Sequence, residues 1–148
     1  VLELGSNMLK LAGKGDNLEE NKQKMLENIQ NEKAYAKLKE LVANQGGDVS
    51  YIEDTSKFKK AKYILPVVLE SEGIIKELKA EEIGKISVFL GAGRIKKEEK
   101  IESEVGIVLN KKVGDKVRSR DIVAYIHAND EEKGREAIKR LQEIYVVK

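Results

Sequence analysis

The sequence contains no cysteine, which excludes a disulfide framework and any thiolate metal site. It has no apolar run near the roughly 18 residues that a membrane span needs, and its opening does not read as a secretory leader. It also lacks a dominant charge sign: 28 Lys+Arg face 26 Asp+Glu, a net +2, and such mixing argues against a dedicated nucleic-acid or membrane surface. The chain has one proline, Pro66, and one histidine, His127. There is no internal repeat and no low-complexity segment. What remains is a chain of 148 residues that is 41% hydrophobic, enough to build one ordinary domain or two small lobes. The expectation is a soluble, cytoplasmic protein.

Helical periodicity dominates residues 1–47. Val1, Leu4, Met8, Leu11 and Ala12 share one stripe. Neither an initiator Met nor a Ser, Thr, Asp or Asn cap precedes it, so the helix reads as starting in its middle, as expected of a processed or excised fragment. Gly13-Lys-Gly15 is a left-handed stop. Asn17 with Glu20 has the capping-box spacing and opens a second helix striped by Leu18, Met25, Leu26 and Ile29. A third helix, roughly residues 32–43, should bury Tyr35, Leu38, Leu41 and Val42 and end at Gly46-Gly47. Each helix is too short to be stable alone.

The pattern changes after Asp48. Lys62-Tyr-Ile-Leu-Pro-Val-Val-Leu69 reads as a strand, with Pro66 placing it at an edge or a bulge. A turn at 71–73 leads into a strand over 74–78, and residues 80–90 return to helical period before Gly91-Ala-Gly-Arg94. The stretch 95–104 holds seven charged residues in ten, the composition of a solvated loop. Strands follow over 105–109 and 122–126 around a turn at Gly114-Asp115. A final helix, capped by Asn129 or Asp130, carries Ala137, Ile138, Leu141 and Ile144, with Tyr145-Val-Val147 as a terminal strand.

Four stretches in order carry a resemblance: Leu4-Gly-Ser-Asn-Met8, Ala43-Asn-Gln-Gly-Gly-Asp48, Leu90-Gly-Ala-Gly-Arg94 and Val105-Gly-Ile-Val-Leu-Asn-Lys-Lys-Val-Gly-Asp-Lys-Val117. With the Ala61-Lys-Tyr63 approach to the first strand, their content and spacing resemble the pyrimidine-nucleoside and thymidine phosphorylases. Glu102-Ser-Glu104 and Arg118-Ser-Arg120 depart from the family's pattern. The resemblance implies an enzyme that cleaves pyrimidine nucleosides with inorganic phosphate, giving free base and pentose 1-phosphate in a cleft between a helical domain and a large α/β domain. It further implies that this chain is the C-terminal part of such an enzyme, structural and inactive alone. The family's phosphate- and base-binding residues, including a His followed by Ser-Thr-Gly-Gly, lie earlier in the polypeptide and have no counterpart here. The expected fold is α+β: residues 1–47 as helices from the large α/β domain, then 48–148 as a β-rich lobe of the barrel-sandwich hybrid kind. Lacking the rest of that domain, residues 1–30 should be either self-associating or frayed.

No catalytic, cofactor-binding or metal residue is assigned, and no cofactor is expected. His127 lies at a strand end without the family's histidine signature and reads as structural. Gly91-Ala-Gly-Arg94 follows a helix, whereas anions favour helix N-termini, so it reads as a helix exit with Arg94 paired to a carboxylate. The alternative is that residues 94–100 border the cleft of the whole enzyme. Gly46-Gly47 reads as a helix stop, not a phosphate cradle. Lys57, Lys59, Lys60 and Lys62, beside Phe58 and Tyr63, could stack single-stranded nucleic acid, but Glu53-Asp54 and the balanced charge favour a solvated surface. The segment 106–126 also resembles the half-barrel of biotinyl and lipoyl carrier domains. A biotinyl site needs a lysine flanked by Met, and Met8 and Met25 lie far off in the helices. A carrier or a generic binding module is the alternative function.

Overall fold

The computed structural model describes residues 1–94 and 96–148. The chain divides into two compact units, Val1–Lys57 and Phe58–Lys148.

The first unit comprises α1 (Leu2–Leu11), α2 (Leu18–Gln30), α3 (Lys33–Asn44), the single turn α4 (Ser50–Glu53) and a 3-10 turn at Thr55–Lys57. No side chain caps α1. It closes at Gly13 (φ +66°), where the Lys14 N–H donates to Leu9 O and the Gly13 N–H to Lys10 O, the paired bonds of a Schellman stop. Asn17 Oδ1 caps α2 by accepting from the Glu19 and Glu20 N–H groups. Glu20 reaches the Asn17 side-chain amide at 3.2 Å, a variant of the expected box. The stop at Gly46 (φ +74°) repeats the Schellman geometry, with the Gly47 N–H on Val42 O at 2.8 Å.

Two expectations change here. The face of α1 turned inward carries Leu2, Gly5, Ser6 and Leu9, and Ser6 is fully buried. Its Val1, Leu4, Met8 and Leu11 stripe points outward. On α3, Tyr35, Leu38 and Leu41 are 39%, 44% and 51% exposed rather than buried, because a few short helices offer too little apolar surface to cover every stripe. Residues 50–57 form two short turns because Asp48 and Asp54 each accept an N–H two residues on, from Ser50 and Ser56.

The second unit contains β1 (Tyr63–Leu69), β2 (Gly73–Leu78), α5 (Ala80–Leu90), β3 (Gly106–Leu109), β4 (Lys116–Val117), β5 (Asp121–Ala128), α6 (Glu131–Ile144) and β6 (Tyr145–Val147). Its strands form two three-stranded antiparallel sheets, ordered β1-β5-β3 and β4-β2-β6, without a closed barrel. The fold class is α+β, as the periodicities require. Pro66 lies on an edge strand, next to a register shift at Val67/Val68. Both positions tolerate a residue without an N–H. Val67, Ile75, Val117, Val123, Ile126 and Leu141 are fully buried between the sheets and α6. Each contributes about 1.5–3 kcal/mol relative to exposure. Asp130, not Asn129, caps α6 by accepting the Lys133 N–H at 2.9 Å. Residues 96–104 hold no helix or strand, as expected of a charged loop; Ile95 lies outside the described residues.

Candidate functional site

β5 sits between β1 and β3, and this places His127 across from Ile64 on one side and Gly106 on the other. The imidazole lines an open groove of about 230 Å³ with Glu104, Val105, Gly106, Ile107 and Val108. Among the described residues no carboxylate or hydroxyl is hydrogen-bonded to it. A histidine acts as a general base when a third group fixes its tautomer and a reacting proton lies within about 3 Å; here nothing supplies the first condition.

Polar chemistry in this region centres instead on Asn129, just beyond β5. Its Nδ2 donates to Glu102 Oε2 and, at 3.2 Å, to Glu104 Oε1. Its Oδ1 accepts the Lys62 N–H at 3.2 Å. The Glu102 N–H donates to Gly91 O at 2.9 Å, so one asparagine ties the exit of α5, the charged loop and the start of β1 together. The Glu104 carboxyl is held below its ordinary range, first by its own backbone N–H and then by the Asn129 amide. Both carboxylates bond the neutral Asn129 amide, and Glu104 also accepts from the Ser103 hydroxyl at 3.4 Å, so the arrangement fixes a loop. Local spacing could not reveal it, since the partners lie 25 to 67 residues apart.

The remaining motifs take structural places. Gly91 is left-handed (φ +110°), and the Ala92 N–H donates to Ser87 O and the Gly91 N–H to Val88 O, a third Schellman stop. Arg94 donates to the Lys97 main-chain carbonyl at 3.4 Å, not to the carboxylate expected. The 57–62 lysine run crosses the boundary between the two units, with Phe58 and Tyr63 53% and 36% exposed. At the Gly-Asp turn, Gly114 has φ +94°, and Asp115 Oδ2 accepts the Lys112 N–H at 2.7 Å. This turn carries the chain from the β3 sheet to the β4 sheet. Met8 and Met25 both lie in the first unit. Among the described residues no three His, Asp or Glu side chains converge to hold a metal ion, and no helix is long and apolar enough to cross a membrane.

Residues 74–148, from β2 through β6, match the family model of the pyrimidine nucleoside phosphorylase C-terminal domain. The chain belongs to that family. It is 45% identical over 131 residues to the pyrimidine-nucleoside phosphorylase of Bacillus subtilis, covering 88% of this chain and 30% of the relative. Against the Staphylococcus haemolyticus protein of the same name it is 45% identical over 143 residues, 97% of this chain and 33% of that one. For the Staphylococcus aureus protein the identity is 42% over 129 residues. The chain thus spans about a third of the length of the curated relatives it matches. The matched residues take in β2 from Ile74 onward, β3 to β6 and both packing helices, α5 and α6, whereas β1 lies before them.

Proposed function

We propose that these 148 residues are the C-terminal portion of a pyrimidine-nucleoside phosphorylase and serve it structurally. The whole enzyme takes a pyrimidine nucleoside and inorganic phosphate and returns the free base and a pentose 1-phosphate. It works in the cytoplasm without a cofactor, a nucleic acid or a membrane. Residues 1–47 belong to its large α/β domain and 48–148 form the closing lobe. The observation that carries this reading is 42–45% identity to proteins of that name along nearly the whole chain but only about a third of theirs. The absence of any Ser-Thr-Gly-Gly stretch and a histidine without an orienting partner support placing the chemistry in the other two-thirds. Titration calorimetry tests it. The isolated chain should give no heat with uridine or phosphate at about 1 mM, the upper end of ordinary KM values; saturable binding of either would place part of the substrate site here.

We further propose that residues 1–30 self-associate when the chain stands alone. The outward stripe of α1 supports this, since large apolar patches on soluble proteins mark contact surfaces.

A further inference from the structure

We propose that β3 is a contact through which two copies of this chain pair, edge to edge and antiparallel, about a two-fold axis at Val108. The β1-β5-β3 sheet has two edges, and they differ. β1 carries Pro66, which has no N–H to offer, and a register shift at Val67/Val68. Both features blunt an edge against a further strand. β3 has neither: Gly106-Ile-Val-Leu109 pairs with β5 without a shift and holds no proline and no charge. Antiparallel ladders turn alternate residues toward the partner strand. Asn110 gives its N–H to Val123 O on β5 at 2.9 Å, so Gly106 and Val108 bond on that side. Ile107 and Leu109 therefore turn their N–H and C=O groups to the open edge, where nothing among the described residues bonds them. Such an edge is a template for another strand.

The flanks select the strand that fits. Glu102 and Glu104 precede β3, and Lys111 and Lys112 follow it. Antiparallel pairing with a second copy sets the acidic flank of each chain beside the basic flank of the other. Parallel pairing would set like charge against like. Centring the ladder on Val108 lets Ile107 of one copy exchange both main-chain bonds with Leu109 of the other, and Leu109 likewise with Ile107. Val108 then faces Val108 of the partner copy, a β-branched cross-strand pair. This arrangement is isologous and closes at two chains. A strand of 4 residues buries less than the roughly 1,200 Å² of a stable interface, so the pairing is weak and reversible.

The chain has no cysteine, so a single introduced one reports the contact. Residues facing each other in a non-hydrogen-bonded pair have Cα atoms about 4.5 Å apart, inside the roughly 4.4–6.8 Å that a disulfide spans. Val108 and Ile64 are 50% and 53% exposed, but Ile64 lies on the blunted edge. Under mild oxidation Val108→Cys should form a disulfide-linked dimer at least about tenfold faster than Ile64→Cys. Adding Lys111→Glu with Lys112→Glu to Val108→Cys should slow the linkage about tenfold. Raising salt from about 0.01 M to about 0.5 M should slow Val108→Cys itself about threefold, without any further substitution. The linkage reads the β3 contact whether or not residues 1–30 also associate. Equal rates for the two cysteine variants overturn the proposal. So does a Val108→Cys rate that neither salt nor the lysine reversal changes.

Discussion

A Cβ added to Gly134 would lie 2.7 Å from Leu65 Cδ1, with the Ala128 Cβ at 3.2 Å. α6 therefore rests directly on β1 and β5 at this glycine. Gly84, also mid-helix, has nothing within 4 Å of the same added atom. A helical glycine without a contact is destabilising by roughly 0.5–1 kcal/mol relative to alanine. Gly84→Ala should thus raise stability by about that amount, whereas Gly134→Val, which must displace two neighbours, should lower it by about 1–3 kcal/mol. Urea unfolding of the two variants gives opposite shifts of the midpoint. A neutral Gly134→Val would show that α6 does not seat this closely.

The turn glycine behaves differently. Nothing lies within 4 Å of a Cβ at Gly114, but its φ of +94° is one that L side chains resist. Gly114→Val should cost about 1–3 kcal/mol through the backbone alone. Gly114→Asn should cost less, because asparagine tolerates left-handed conformations. Equal midpoints for glycine and valine would remove the turn's conformational requirement.

Tyr145 links β6 to the other sheet: its hydroxyl lies 3.1 Å from Lys111 O and 3.3 Å from Val123 O. Burial pushes its phenol from 10.0 up to about 12. The hydroxyl must be protonated to donate, so its contribution is fully present below pH 10, the unfolded value, and is lost as pH rises toward about 12. At neutral pH Tyr145→Phe should be less stable by about 1 kcal/mol, and the gap between the two proteins should close as pH climbs through that window. A gap that stays constant to the alkaline limit would mean the hydroxyl is not held in protonated form.

Much of the second unit was legible because its local signals agree. Pro66 announced an edge or a bulge, and β1 has both. Ala80–Leu90 was bounded by its period and by Gly91, and α6 by Asp130 and its Ala137–Leu141 stripe. The first unit was read less well for a physical reason. Its α1–α2 contact is centred on polar residues: Asn21, fully buried, donates to Gly15 O at 2.8 Å and Ser6 O at 3.3 Å. A search for apolar stripes passes over Ser6 and Asn21 and selects the outward face instead. The Asn129 node was equally hidden, since hydrogen bonds between distant segments leave no period in the sequence.

Val1, Leu4, Met8 and Leu11 are 96%, 73%, 68% and 89% exposed. If residues 1–30 self-associate, light scattering should give twice the monomer mass, with slow amide exchange in α1 and α2. A frayed segment gives a monomer with fast exchange before residue 30. A monomer whose first 30 amides exchange slowly would contradict both and make the chain self-sufficient.

The most direct test of the account is turnover. Purified chain, free of host enzymes, is incubated with uridine or thymidine and inorganic phosphate, and released base is followed by absorbance. The account predicts a rate indistinguishable from the buffer blank. Phosphate-dependent release of uracil or thymine above that blank would contradict it and place the catalytic machinery within these 148 residues.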